Sequence, residues 1–182
     1  MALTKKEETR VASRVYATFC LLAAVVLLAV GLCLWKGGST IVSKVNDDVK
    51  KEKIYFPEKG SPMFSAEMFP EVQKYAGKQV VDGEMALAFA EDYLGKQLDM
   101  ASGGKTLSEV TAQLAANPTS AELQQLYKVM FEGGVTKTIM SADIYGSWMQ
   151  GKLMKQIGMG MLVVAVVLGV LGIMQWARYK RS

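Results

Sequence analysis

Two stretches of this chain run for about twenty residues each without a charge, and nothing else in the sequence limits the possible folds as strongly. Residues 15–35 read VYATFCLLAAVVLLAVGLCLW between Arg14 and Lys36, and residues 156–177 read QIGMGMLVVAVVLGVLGIMQWA between Lys155 and Arg178. At 1.5 Å per residue an α-helix of that length crosses about 30 Å, the thickness of a bilayer's hydrocarbon core. Apolar core helices of soluble domains seldom run beyond about 14 residues without a charge. Trp35, Trp176 and Tyr179 stand at the ends of the runs, where amphipathic rings favour the membrane interface. The first run is too long for a cleaved signal, and Lys36, Gly37 and Gly38 offer no A-x-A-like site, so it is expected to be retained.

Charge then sets the orientation. The tail before the first run is +2 and the tail after the second is +3, which leaves −1 for the segment between them in a chain of net charge +4. All four arginines (Arg10, Arg14, Arg178, Arg181) lie in these tails. Two crossings put both tails on one side, and the positive-inside bias makes that side cytoplasmic. The basic character is therefore a topology signal, and a nucleic-acid partner is not expected. The expected class is an all-α membrane protein: cytoplasmic tail 1–14, transmembrane helix 15–35, extracytoplasmic and mainly helical domain 36–155, transmembrane helix 156–177, cytoplasmic tail 178–182. It belongs in the plasma membrane.

The middle segment is long enough to have its own structure. Ile41, Val42, Val45 and Val49 recur at helical spacing and extend the first helix as a stalk. Pro57 makes residues 54–57 extended, and Pro62 and Pro70 keep the chain irregular to about Lys74, with room for one helical turn. Met85, Leu87, Ala88, Ala90, Leu94 and Leu98 predict a helix that Gly103-Gly104 ends. Thr106-x-x-Glu109 and Thr119-x-x-Glu122 read as capping boxes for two more helices. The last of these is expected to run on into the second apolar run, with a kink at Gly133-Gly134.

Chemistry-bearing motifs are scarce. There is no histidine, so imidazole bases, zinc–histidine sites and histidine-ligated haem are excluded. Cys20 and Cys33 are thirteen positions apart in one helix, about 20 Å along its axis, and read as apolar packers with no mutual disulfide. Gly103-Gly104-Lys105-Thr106 mimics part of a phosphate loop. The first glycine of that motif falls on Asp99, however, and no strand precedes it. Glu91-Asp92, Asp47-Asp48 and Asp82/Glu84 lack calcium-loop spacing and read as solvated carboxylates. Neither apolar run holds an ionisable residue, so no ion pathway is expected. No catalytic residue, metal ligand or cofactor is predicted.

The one positive pattern lies inside the runs. Ala17, Ala24 and Gly31 recur every seven residues in the first; Gly151, Gly158, Ala165 and Gly172 do so around the second, with Gly169 nearby. Small residues on one stripe let helix backbones approach closely, and packing drives helix association in lipid. Ala17, Ala24, Gly31, Gly158, Ala165, Gly169 and Gly172 are the predicted helix-packing residues. Met149, Met154, Met159 and Met161 suit adaptable packing around them.

Three stretches carry a resemblance: Lys53-Ile54-Tyr55-Phe56-Pro57; Tyr75-Ala76-Gly77-Lys78-Gln79-Val80 with Asp82-Gly83; and Ser102-Gly103-Gly104-Lys105-Thr106-Leu107-Ser108-Glu109, followed by a helix running directly into the last span. In these the chain resembles a family of small two-span membrane proteins of actinobacteria. Some relatives carry an aromatic-ring-opening dioxygenase label, which a histidine-free chain does not support, because the usual iron site needs two histidines. The family resembles accessory subunits found around the cytochrome bcc–aa3 respiratory supercomplex. The resemblance implies a cofactor-free, non-catalytic subunit that aids assembly or stability, with membrane lipids and the integral subunits of that supercomplex as partners. The small-residue stripes, Trp35 and Trp176 are then the expected contacts. A free-standing membrane-anchored binding or sensing protein of the cell envelope is the alternative, and a hydrolase using Glu91 and Asp92 a remote third.

Overall fold

The computed structural model describes residues 4–62 and 64–181. The protein is all-helical among these residues, and two of its helices are long and apolar enough to cross a membrane. The chain divides into two compact units: Met1–Thr40 with Gly151–Ser182, and Ile41–Gln150.

Helix α1 (Lys5–Lys51) opens on a capping box that involves Thr4, a position without a signal in the apolar periodicity. The Thr4 amide donates to the Glu7 carboxylate at 2.8 Å, and the Glu7 amide donates back to the Thr4 hydroxyl at 3.4 Å. Helix α6 (Tyr145–Arg181) is the second long helix. In the first unit the two helices pair through their small residues. Ala17, Ala24, Gly31, Gly38, Gly151, Gly158, Ala165 and Gly172 are all buried. The large aliphatic and aromatic side chains point outward, and only 17% of each apolar window is buried inside the protein. A core helix of a soluble domain would have most of that surface covered.

The second unit has an aromatic core drawn from segments with little regular structure. After α1 the chain turns at Lys53, whose φ of 52° is left-handed. It then runs extended through Phe56, whose amide donates to the Lys78 carbonyl (2.9 Å), while the Val80 amide donates to the Ile54 carbonyl (2.8 Å). A 3-10 turn follows at Pro70–Tyr75. Phe56, Phe64, Phe69, Val72 and Val80 from this region are nearly or fully buried. They pack on α2 (Gly83–Ala88) and on a π-helical turn (Phe89–Gly95) that leads without a break into α3 (Lys96–Ser102). Tyr93 is the hub, with the rings of Phe64, Phe69 and Phe89 centred 5.4, 5.3 and 5.1 Å away.

Helix α4 (Leu107–Ala116) carries the capping box expected at Thr106 and Glu109. Helix α5 (Ala121–Thr138) departs from expectation at its start: the cap is Ser120, whose hydroxyl accepts from the Leu123 amide. A turn closed by the Ser120 amide on the Asn117 carbonyl takes up Thr119 and moves the cap one residue on. Leu123 then occupies the third helical position, so the reciprocal carboxylate bond of a capping box is lost. The second correction concerns Gly133-Gly134, which stay within regular α5. There a Cβ on Gly133 would meet Leu98 at 2.6 Å, so this glycine serves close packing. The departure from α-geometry comes later, as a π turn at Ile139–Ile144 between α5 and α6.

The π turn at Ile139–Ile144 has a register reason. Met140 and Trp148 are both buried but lie eight residues apart. Seven regular steps of about 100° end within about 20° of two full turns, whereas eight end about 80° away. One extra residue absorbed in the π turn restores the shared face. Trp148 in turn needs Gly83, where a Cβ would sit 2.6 Å from the Cβ and Cγ of the tryptophan.

Candidate functional site

The positions singled out inside the apolar runs are brought together by the fold. A Cβ on Gly31 would lie 3.0 Å from the Gly158 carbonyl oxygen; one on Gly158 would lie 2.5 Å from the Trp35 amide nitrogen and 2.7 Å from the Gly31 carbonyl. A Cβ on Gly38 would collide with the Gly151 carbonyl. A Cβ on Gly172 would lie 2.8 Å from Leu21 Cγ, and one on Gly169 would lie 4.0 Å from the Ala24 methyl. The helices thus approach through backbone against backbone at Gly31, Gly38 and Gly158, and a larger side chain at these positions forces them apart, whereas Gly169 has room for a methyl group. The stripes face each other within one chain, which leaves the opposite faces of the two helices outward. There Phe19, Leu22, Val25, Val163, Val166 and Ile173 are each exposed.

Trp35 is partly exposed, and the Trp176 ring packs against that of Tyr179, centroids 5.8 Å apart and tilted by 50°. Tyr179 also receives two cations that sequence reasoning did not connect to it: the guanidinium of Arg10 lies 5.5 Å and that of Arg14 6.0 Å from its ring centroid. The face of an aromatic ring attracts a cation through its quadrupole. This contact joins the first turns of α1 to the last turn of α6, and no periodicity argument reveals it. Cys20 is half-buried and Cys33 exposed, both as free thiols.

In the second unit several carboxylates are committed to local structure. Asp82 caps α2 by accepting from the Met85 amide at 2.8 Å. Glu91 pairs with Lys137 at 2.8 Å and Glu71 with Lys96 at 2.8 Å, so each ties two segments together. The Lys96 ammonium, bonded to Glu71, holds that carboxyl below its ordinary 4.5. The Thr106 amide does the same for Glu109 in its capping box. Lys51 lowers Asp48, on which it donates at 2.8 Å. Burial pushes the Tyr93 phenol upward, opposed by the Gln97 amide donating to its oxygen at 2.8 Å. No group of three potential metal ligands occurs among the described residues. Gly103 and Gly104, with φ of 61° and 81°, end α3, and Thr106 starts α4. The apparent phosphate-loop remnant is thus a helix stop followed by a helix start.

One part of this unit is apolar but not covered. Phe131, Val135 and Ile139 follow each other at four-residue steps and are each close to half exposed. With Leu107, Gly134 and Thr138 they line an open groove of about 390 Å³.

Fold and surfaces together define a class: an all-helical chain in which two helices long enough to cross a membrane pair through small residues, and a second helical unit has an aromatic core. No protein-family model, curated protein or solved structure matches the chain.

Proposed function

We propose that this protein is a non-catalytic accessory subunit of a membrane-embedded respiratory assembly of the cytochrome bcc–aa3 type, with both termini cytoplasmic and the second unit outside the membrane. The observation that carries the reading is the division of surfaces. The small residues are used within the chain, and the large apolar side chains of both long helices are left outward. In a bilayer, that outer surface is available to lipid and to larger integral subunits. The groove of Phe131, Val135 and Ile139 adds an apolar contact on the second unit, of the kind that marks a protein-binding face. The three stretches that resemble small actinobacterial membrane proteins are what supports a respiratory partner in this reading. The role is assembly or stabilisation, and electrons do not pass through this chain.

The test is affinity capture of the tagged full-length protein from solubilised membranes, followed by a reduced-minus-oxidised spectrum. Co-capture of haem a and haem c is the expected outcome. Capture without haem, with the protein intact and abundant, overturns the assignment and leaves the envelope-binding alternative.

A further inference from the structure

We propose that the end of the helix pair where Arg10, Arg14 and Tyr179 meet binds one anionic phospholipid. The proposal rests on the reading that the two long helices lie in a bilayer and is independent of the respiratory partner. Beside these residues, the outer side of α1 forms an open groove of about 480 Å³ lined by Val11, Arg14, Val15, Thr18, Phe19 and Leu22. Its walls are apolar: Val15, Phe19 and Leu22 are 61, 71 and 63% exposed, and Thr18 donates its hydroxyl to the Arg14 carbonyl at 2.9 Å. From Arg14 to Leu22 the groove runs about 12 Å along the helix, which lies within the roughly 15 Å of hydrocarbon in one leaflet. An acyl chain suits that depth and surface.

The charge at the groove's mouth chooses the headgroup. Arg10 and Arg14 have no carboxylate partner among the described residues, and Glu7 is occupied by the amide and hydroxyl of Thr4. The Tyr179 ring holds both guanidiniums in place. Helix α6 contains no Asp or Glu and adds Arg178 and Lys180 at the same end. Guanidinium groups recognise phosphate oxygens through paired N–H donors, and two of them above an apolar groove favour a phosphodiester with net negative charge over a zwitterion.

The experiment is a titration of the detergent-purified full-length protein with phosphatidylglycerol, phosphatidylcholine of the same acyl chains, and inorganic phosphate, read by native mass spectrometry. Phosphatidylglycerol is expected to bind at least tenfold tighter than phosphatidylcholine, with the preference shrinking as salt rises. Arg10→Gln/Arg14→Gln, checked for unchanged helical content, is expected to weaken phosphatidylglycerol about thirtyfold and leave phosphatidylcholine unaltered. Arg10→Lys/Arg14→Lys is expected to weaken phosphatidylglycerol by an intermediate amount, because the charge is kept while the paired N–H donors are lost. Equal binding of the two lipids by the wild-type protein overturns the proposal, as does a preference that survives Arg10→Gln/Arg14→Gln. Displacement of phosphatidylglycerol by millimolar phosphate alone overturns it too, since the groove would then contribute nothing. A protein that stays in solution without detergent would instead remove the membrane reading beneath it.

Discussion

Glycines decide more of this structure than any other residue type, and they do so by distance. Gly158 has backbone atoms of Gly31 and Trp35 in α1 within 3 Å of where a Cβ would be; Gly160, two positions along the same helix, has nothing within 4 Å. Gly158→Ala is therefore expected to destabilise the helix pair by about 1–3 kcal/mol, the usual cost of overpacking. Gly160→Ala is expected to be neutral or stabilising by up to about 1 kcal/mol, through helix propensity. Dodecyl sulfate titration of helical content in mixed micelles measures both, and equal effects would refute the close approach. A second prediction at this scale concerns pH. Glu71, Glu109 and Asp48 are held below their ordinary values, so their contribution is present above the unfolded carboxylate range and is lost as pH falls through the lowered values. Tyr93 is raised, so its contribution is present below about pH 10 and is lost as pH rises beyond that. The melting midpoint of the aromatic core, followed by near-ultraviolet circular dichroism, should be flat between about pH 5 and about pH 9 and fall on either side. The acid limb should be shallow, because all three carboxylates are exposed to solvent.

Among the elements, the second π turn sets the register of the helix that follows it. The turn at Ile139–Ile144 holds one residue more than a regular helix needs, and that residue keeps Met140 and Trp148 on one face. Deleting the exposed Ala142 is expected to convert the turn to regular α-helix with the flanking faces unchanged, at a cost below about 1 kcal/mol. Inserting one alanine after it asks the turn to absorb a second residue. Trp148 would then leave Gly83, and the expected loss is about 3 kcal/mol or more, by the scale of removing a buried aromatic side chain. Thermal melts, with tryptophan emission as a second readout, separate the two. A deletion as damaging as the insertion would show that the extra residue has another role. Element starts and stops at Thr106, Gly103 and Asn117 are legible in the sequence, because each rests on a local bond or a backbone preference. The cap of α5 is misread by one residue because two adjacent hydroxyl residues, Thr119 and Ser120, compete for it, and a turn decides between them.

For the whole molecule, the uncovered apolar surface is the dominant fact. With 17% of each apolar window buried, the two long helices leave most of their hydrophobic surface unaccounted for by the protein's own fold. The proposed topology places both termini in the cytoplasm. Reporter fusions after Ser182 and before Met1 should both be active only as cytoplasmic reporters, and one inserted at the exposed Gly60 turn only as an exported one. Termini found on opposite sides would refute the topology and with it the assignment of the second unit to the outside.

The sequence by itself determines where the long apolar helices lie, where most of the shorter ones begin and end, and which stripe of each long helix is narrow enough for close packing. These are properties of charge, periodicity and residue volume, read over one or two turns. Which stripe meets which, that Tyr179 collects two arginines, and that Phe56, Phe64 and Phe69 close around Tyr93 are decided only in three dimensions. The aromatic core comes from segments without a repeating pattern, whose positions are fixed by a turn, a pair of backbone bonds and a helix far along the chain. A contact between residues 14 and 179 depends on how two helices pair, and pairing in an apolar medium is set by the match between two surfaces, a quantity that neither helix carries alone.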